Sequence, residues 1–173
     1  LDKLNNDENA SHLKFKLRKS ISQHVKLAFG TDYFITRFNE DFTPNSGFGG
    51  TSGYNSSIAA AFAEGDILFT KNFAAKVGVR ASYNDLLDET AVAPRVSLAY
   101  KLNKTSQFSF AYGHFTQAPS VDFIKYSKMH QFESEKASHY ILNFQYNNDR
   151  QTFRAEAYYK DYSNLVKFNT TTP

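Results

Sequence analysis

Residues 92–117 read VAPRVSLAYKLNKTSQFSFAYGHFTQ and predict two β-strands joined by a tight turn at Asn103-Lys104-Thr105. Large apolar side chains stand at every second position, with small or polar side chains between them: Val92, Pro94, Val96, Leu98, Tyr100 and Leu102, then Phe108, Phe110 and Tyr112. This period of two marks a strand with one apolar face. That face contacts a second sheet in a soluble sandwich, or lipid in a transmembrane barrel whose other face lines a lumen.

The same alternation covers most of the remaining chain and predicts about eight strands. The other apolar series span residues 13–17, 25–35, 59–69, 73–83, 140–146 and 153–159, and we expect the last to continue toward Phe168. Many of these runs approach or exceed the ~9–11 residues that a strand needs to cross a membrane. The 59–69 series is the weakest, because Phe62 and Leu68 fall on its charged side.

The predicted connections alternate between short turns and longer loops. Short turns are expected near Ser20, Lys71, Asn103 and Asn148, and longer loops over residues 39–56, 84–91 and 118–137. Outer-membrane barrels sort their connections in this way, with short turns on the periplasmic side, whereas a soluble meander has no reason to do so. The pattern therefore favours an all-β, antiparallel transmembrane barrel.

The number of strands predicts that this barrel is incomplete. With short turns on the periplasmic side, the first strand would begin outside and the eighth would end outside, unlike a complete bacterial barrel. Residues 1–10 also have neither the basic start nor the apolar core of a signal peptide. We therefore expect residues 1–173 to be one partial barrel domain of a larger protein.

The composition excludes several other classes. The 173 residues include no cysteine, so neither a disulfide nor a thiolate metal site can form. Twenty Lys+Arg against 17 Asp+Glu give a net charge of +3, which is too balanced to suggest nucleic-acid binding. No apolar run approaches the ~18 residues of a membrane helix. The 17 Phe and 11 Tyr favour a barrel, which concentrates aromatic side chains at the two membrane interfaces.

The polar strand faces provide one set of candidate binding residues. Four basic side chains are predicted to face the lumen: Arg80, Arg95, Lys101 and Arg154. A basic lumen would attract an anionic substrate. The simpler alternative is that these residues pair with carboxylates on neighbouring strands or contact an acidic surface inside the barrel.

A second set lies in the glycine-rich loop predicted over residues 39–56. Phe42, Phe48 and Tyr54 stand there among glycines and would suit contact with the rings of a substrate, since binding residues concentrate in loops. The alternative is a solvated loop without a ligand.

The sequence contains no motif that indicates an active site or a metal site. His114, His130 and His139 do not have metal-ligand spacing on one strand face, and no nucleophile-elbow motif is present. Glu133 and Glu135 would share a strand face, but no complementary nucleophile accompanies them. We expect no enzyme activity, no metal site and no cofactor.

Four motifs resemble the barrel of TonB-dependent outer-membrane receptors. They are PRVSLAY (94–100), AYGHFTQAPS (111–120), ESEKASHY (133–140) and AEAYYKDY (155–162). The resemblance extends over residues 58–168 and lies in the order and spacing of the motifs. It implies about eight strands of a 22-stranded type of barrel, which in the family also holds an N-terminal plug domain.

The resemblance also implies a function and a set of partners. Such receptors lie in the outer membrane of Gram-negative bacteria and take up a scarce nutrient (a siderophore, haem, cobalamin or an oligosaccharide) with energy passed by TonB. The expected partners are outer-membrane lipids, TonB through an N-terminal region not in this sequence, the substrate, and a surface lipoprotein that captures it. Nucleic acid is not among them. The alternative function is a soluble β-sandwich binding domain or a surface adhesin.

Overall fold

The computed structural model describes residues 2–45, 47–120, 123 and 132–167 as one antiparallel sheet. Each strand pairs with the next strand in sequence, so the described strands form an eight-stranded meander with β1 and β8 as its two edges. The strands are β1 (Lys3–Ser20), β2 (Val25–Thr43), β3 (Gly50–Leu68), β4 (Phe73–Asn84), β5 (Glu89–Lys101), β6 (Ser106–Gln117), β7 (Glu135–Asn147) and β8 (Thr152–Ser163). The predicted all-β fold with eight strands is confirmed. No helix within these described ranges is long and apolar enough to span a membrane.

The sheet has a single layer and almost no core. The buried apolar residues of the described part are Ala28, Phe38, Ala60, Ala75 and Ala93. The chain exposes 12985 Å², whereas a compact soluble protein of 19.7 kDa would expose about 8,600 Å². A β-sandwich, which buries one face of each sheet against the other, does not fit this arrangement.

The strand register sorts the side chains onto two different faces. We call the face that carries the large apolar series the outer face, and the opposite face the inner face. Exposed apolar side chains of the outer face include Leu13, Phe15, Leu17, Leu27, Phe29, Val77, Val79, Val92, Leu98, Phe108, Leu142 and Phe153. In β2 the inner-face residues Ala28, Gly30 and Asp32 are buried while Leu27 and Phe29 are exposed, as expected if the sheet is concave on its inner face.

The outer face of β4 has the dimensions of a membrane-spanning strand. It runs from Phe73 to Tyr83 through Ala75, Val77, Val79 and Ala81, without a charged or polar side chain between the two aromatic ends. Ten residue steps at ~3.3 Å extend about 33 Å, which at a strand tilt of ~40° gives a height of about 25 Å. This equals the apolar band of outer-membrane barrels, which is flanked by aromatic residues on both sides.

The loop predicted over residues 39–56 is wrong for most of its length. Strand β2 continues to Thr43 and β3 begins at Gly50, so only residues 44–49 connect them. The antiparallel ladder runs on through Phe38↔Tyr54 and Glu40↔Ser52. At Gly53 a Cβ atom would lie only 2.6 Å from the carbonyl oxygen of Phe38, so this glycine serves the ladder rather than a turn.

The other predicted boundaries need smaller corrections. Strand β1 begins at Lys3, well before the apolar series at 13–17, and β8 ends at Ser163 without reaching Phe168, which lies outside the described residues. The 84–91 loop shrinks to residues 85–88, and β7 begins at Glu135. The 85–88 connection is thus no longer than the turns at 21–24 and 69–72, so loops and turns differ in length less than the sequence predicted.

Candidate functional site on the inner face

An ion-pair cluster occupies the inner face of β1, β2 and β4. The Asp32 side chain is only 3% exposed, and its carboxylate contacts Arg80, the Lys14 Nζ at 3.5 Å and the His12 Nε2 at 3.4 Å. Arg80 reaches Asp32 across β3, where the residue that pairs with Asp32 is Ala60. The small alanine side chain leaves room for this contact between strands that are not neighbours.

Three other cations of the inner face also pair with carboxylates. Lys16 contacts Glu64 at 3.8 Å, Lys76 contacts Asp66 at 3.1 Å, and Arg154 contacts Glu156 at 2.8 Å. Their side chains are partly or fully exposed, so each pair contributes little to stability. Their importance is that they neutralise these cations within the wall.

The four predicted lumen-facing cations all lie on the inner face, but they differ in their partners. Arg80 and Arg154 form ion pairs with Asp32 and Glu156. Arg95 and Lys101, both on β5, form no ion pair with any residue that the structure describes. The Arg95 guanidinium instead lies 5.0 Å from the centre of the Phe115 ring.

The three aromatic residues predicted to bind substrate are not brought together. Phe48 is 92% exposed in the connection between β2 and β3. Phe42 lies near the end of β2, and Tyr54 stacks on Phe38 with ring centres 5.7 Å apart. Phe42, Phe38 and Tyr54 share the inner face by register, so this part of the prediction describes a strand wall rather than a loop.

Sequence reasoning missed two inner-face aromatic contacts. Phe34 stacks on His12 at 3.8 Å between ring centres, and Phe38 packs against Tyr54. Both phenylalanines continue the even-numbered series of β2, which also contains Asp32. Following that series from Asp32 through Phe34 and Thr36 to Phe38 would have found them.

Sequence reasoning also did not assign four glutamates near the loop ends of the strands to the inner face. Their inner-face positions follow from the register: Glu8, Glu40, Glu89 and Glu135. The inner face is therefore basic toward the short turns and more acidic toward the loops. None of the four lies in a predicted strand: Glu8 precedes the first apolar series, and Glu40, Glu89 and Glu135 lie in the three predicted loops.

Glu89 fixes the segment that enters β7. It lies beyond the apolar band of β5, and its carboxylate accepts a hydrogen bond from the Ser134 backbone N–H at 2.7 Å. The Lys136 Nζ is 3.9 Å away. Burial by itself would raise the pKa of Glu89, but the bonds from Ser134 and the charge of Lys136 outweigh it and hold that pKa below its usual value.

Glu133 and Glu135 have structural partners as well. The Glu133 carboxylate accepts a hydrogen bond from the Asn164 side-chain amide at 2.9 Å, and Glu135 accepts one from the Val166 N–H at 3.3 Å. These bonds tie the start of β7 to the segment after β8.

A recess of about 330 Å³ lies between the ion-pair cluster and the loop ends of the strands. Its charged and aromatic lining residues are two arginines, one glutamate and two phenylalanines: Arg80, Arg95, Glu89, Phe34 and Phe115. Asn84 and Ser82 add polar groups on the β4 side. Such a surface can hold an anion that also carries an apolar or aromatic part.

The described residues provide no metal centre. Within them no group of three or more His, Asp or Glu side chains could hold a metal ion. His114 hydrogen-bonds Ser138 at 3.1 Å on the outer face, whereas His139 lies on the inner face. His130 lies outside the described residues.

Comparisons with known proteins agree with this geometry. A family model described as "TonB dependent receptor-like, beta-barrel" matches residues 2–173, while no curated protein matches the chain. The structure is similar to the ferric enterobactin receptor PfeA of Pseudomonas aeruginosa (TM-score 0.75, 15% identity, 95% of this chain and 28% of that chain). It is also similar to the ferric yersiniabactin uptake receptor FyuA of Yersinia pestis (0.76, 14%, 95% and 30%) and to the FrpB iron transporter of Neisseria meningitidis (0.68, 10%, 90% and 29%).

The chain matches only part of each similar protein. The chain spans less than a third of the length of each of the three proteins. At 10–15% identity the structural likeness establishes the fold. All three are described as receptors or transporters.

Proposed function

This chain belongs to the TonB-dependent receptor-like β-barrel family, and on that premise we propose that it forms part of the barrel wall of an outer-membrane receptor that takes up a ferric siderophore or another scarce nutrient. Members of this family are outer-membrane proteins of Gram-negative bacteria. The whole receptor would extend well beyond these residues, because the similar solved chains are more than three times as long.

The observation that carries the proposal is the difference between the two faces of one sheet. An apolar outer face about 25 Å high is matched to lipid, while an inner face with buried Asp32 and paired cations is matched to a polar lumen. A soluble binding domain or an adhesin would have to cover the outer face with a second layer. The described residues provide none.

The charge of the inner face supports an anionic substrate. Cations concentrate on the half of the face next to the short turns, and Arg95 and Lys101 remain outside the ion pairs. An anion that passed the acidic loop ends would meet an attractive potential deeper in the barrel. Two of the similar proteins are described as receptors for ferric enterobactin and ferric yersiniabactin and the third as an iron transporter, which favours a ferric siderophore over an oligosaccharide.

The partners follow from the same proposal. TonB would act on a part of the receptor outside this chain, and lipids of the outer membrane would cover the outer face. A surface lipoprotein that captures the substrate would deliver it to the loop ends. No catalytic step is proposed.

Iron uptake by the full-length receptor tests this function. The receptor would be produced in a Gram-negative host without siderophore receptors of its own, with and without tonB, and supplied with radioactive iron bound to enterobactin or yersiniabactin. We expect uptake of at least one complex that stops when tonB is deleted. Uptake independent of tonB would contradict the proposal, and iron uptake equal to that of the receptor-free host with both complexes would overturn the assignment to these ferric siderophores.

A further inference from the structure

We propose that Arg95, Phe115, His139 and Tyr162 form a binding site on the inner face for an anionic ligand whose charged oxygens adjoin a flat ring. We call these four residues the aromatic strip. The inference rests on the proposed function and specifies where in this segment the substrate is contacted and by which chemistry.

The aromatic strip crosses four adjacent strands, β5 to β8. Arg95 lies opposite Gly113 on β6, and Gly113 lies opposite His139 on β7. The Phe115 ring is 5.0 Å from the Arg95 guanidinium and 4.9 Å from the His139 ring, whose centre is 6.3 Å from that of Tyr162. One cation and three rings therefore form a continuous surface.

Gly113 allows the Phe115 ring to adopt this position. A Cβ atom at Gly113 would lie 2.8 Å from the ring, so any larger residue would push Phe115 away from Arg95 and His139. The Phe115 ring lies over Gly113 on the inner face. The local sequence, with glycine two residues before phenylalanine on one face of β6, thus builds the centre of the aromatic strip.

The charge of Arg95 is available to a ligand. Arg80 lines the same recess, but its guanidinium contacts the buried Asp32. Around the aromatic strip the inner-face carboxylates are held by other groups: Glu89 by Ser134 and Lys136, Glu135 by the Val166 N–H, and Glu156 by Arg154. An arginine guanidinium offers a planar fork of donors that matches a pair of ligand oxygens.

The rings of the aromatic strip are open toward the inner face. Phe115 is 36% exposed and Tyr162 is 53% exposed, and no described residue packs over them as a second layer. Lys160, opposite His139 and 5.5 Å from the Tyr158 ring, adds a second cation next to the aromatic strip. Exposed rings between two cations favour a flat anion, since stacking and charge then act on the same ligand.

Binding to the full-length receptor in detergent tests this site with two iron complexes. The ferric complex of 2,3-dihydroxybenzoate combines anionic oxygens with a ring, and ferric citrate has the oxygens without a ring. We expect tighter binding of the first complex, and Arg95→Gln should weaken it by roughly 10- to 100-fold, the range of a lost hydrogen bond to a charged group. Phe115→Leu should weaken it by about 10-fold, with a smaller effect on ferric citrate.

Lys101→Gln is the matched control. Lys101 lies on the same strand and the same face as Arg95, also without an ion pair, but outside the aromatic strip. Equal losses in Arg95→Gln and Lys101→Gln would assign the effect to the general field of the lumen and overturn the site. Unchanged binding in Arg95→Gln, equal affinity for both complexes, or binding of neither complex would overturn it too.

Two further measurements keep the outcomes distinct. The heat-dependent gel shift of a folded barrel should be the same in Arg95→Gln and the unsubstituted receptor, so that lost binding is not lost folding. Uptake that depends on tonB but is unaffected by Arg95→Gln would refute the aromatic strip and leave the proposed function standing. Uptake that is the same with and without tonB would refute the proposed function. The binding assay would still test the aromatic strip in that case.

Discussion

The two faces of this sheet follow different physical rules. On the outer face, one apolar side chain follows another within the apolar band, as from Phe73 to Tyr83, and no particular contact between strands is required. On the inner face, stability depends on specific partners, such as Arg80 and Asp32, which are 48 residues apart in sequence. The outer face therefore requires only that its side chains be apolar. The inner face requires particular residues and a strand register that brings them together.

The largest expected effect comes from a charge on the outer face. Val79 lies near the middle of the apolar band of β4, and Val79→Lys would place an ammonium in lipid at a cost of about 2–4 kcal/mol. The measurement is denaturant unfolding of the full-length receptor in lipid vesicles. Ser82→Lys, on the inner face of the same strand, is the control and should cost much less. Equal costs would remove the distinction between the faces.

The buried carboxylate of the inner face should have the next largest effect. Asp32→Ala leaves Arg80 and Lys14 without their shared partner, and we expect a loss of about 1–3 kcal/mol in the same unfolding experiment. Asp66→Ala breaks the exposed pair with Lys76 and should cost less than about 1 kcal/mol. A larger effect of the exposed pair would contradict the role given to burial.

Two glycines provide a comparison of close packing on the two faces. A Cβ at Gly30, on the inner face, would lie 2.9 Å from the Phe62 ring and collide with the Phe15 carbonyl oxygen, so Gly30→Ala should destabilise by roughly 1–2 kcal/mol. At Gly65, on the outer face, the nearest atom is a Leu27 methyl carbon at an ordinary 3.6 Å. Gly65→Ala should therefore be close to neutral in the unfolding midpoint, and a reversed order would show that the inner face is not the crowded one.

The smallest effect concerns the pH dependence of stability at Glu89. Because its folded pKa lies below the usual value, the stabilisation is present at neutral pH and is lost as the pH falls through the folded pKa. Glu89→Gln removes this contribution, of less than about 1 kcal/mol. Between about pH 5 and pH 3, the unsubstituted receptor should therefore lose more stability than the variant. Parallel curves would show that the Ser134 bond does not depend on the charge.

Much of the fold could be predicted from the sequence, because the outer face repeats one simple pattern. The series from Val92 to Leu102 and from Phe108 to Tyr112 predicted both strands, their turn and the direction of their apolar faces. The 39–56 segment was mispredicted because glycine and asparagine are common in turns. Here the ladder beyond Ile35 has a polar outer face, so its strands no longer show apolar alternation.

The inner-face site could be predicted only in part. Alternation placed Arg80, Arg95, Lys101 and Arg154 on one face and put Glu156 two residues from Arg154 on that face. It could not show that Arg80 finds a carboxylate, because Asp32 lies on a strand distant in sequence and is reached across Ala60. The Phe115 position over Gly113 likewise depends on side-chain rotation, which no periodic pattern records.

Site-directed spin labelling of β4 tests most directly whether the apolar face meets lipid. Cysteine would be introduced one residue at a time by Val77→Cys, Val79→Cys, Ala81→Cys, Lys76→Cys and Ser82→Cys in the full-length receptor in lipid vesicles. No native cysteine of this segment interferes. We expect labels at the three outer positions to collide with oxygen dissolved in lipid, and labels at the two inner positions to be shielded from it. Equal oxygen accessibility at all five positions would contradict a membrane-spanning wall with one lipid face.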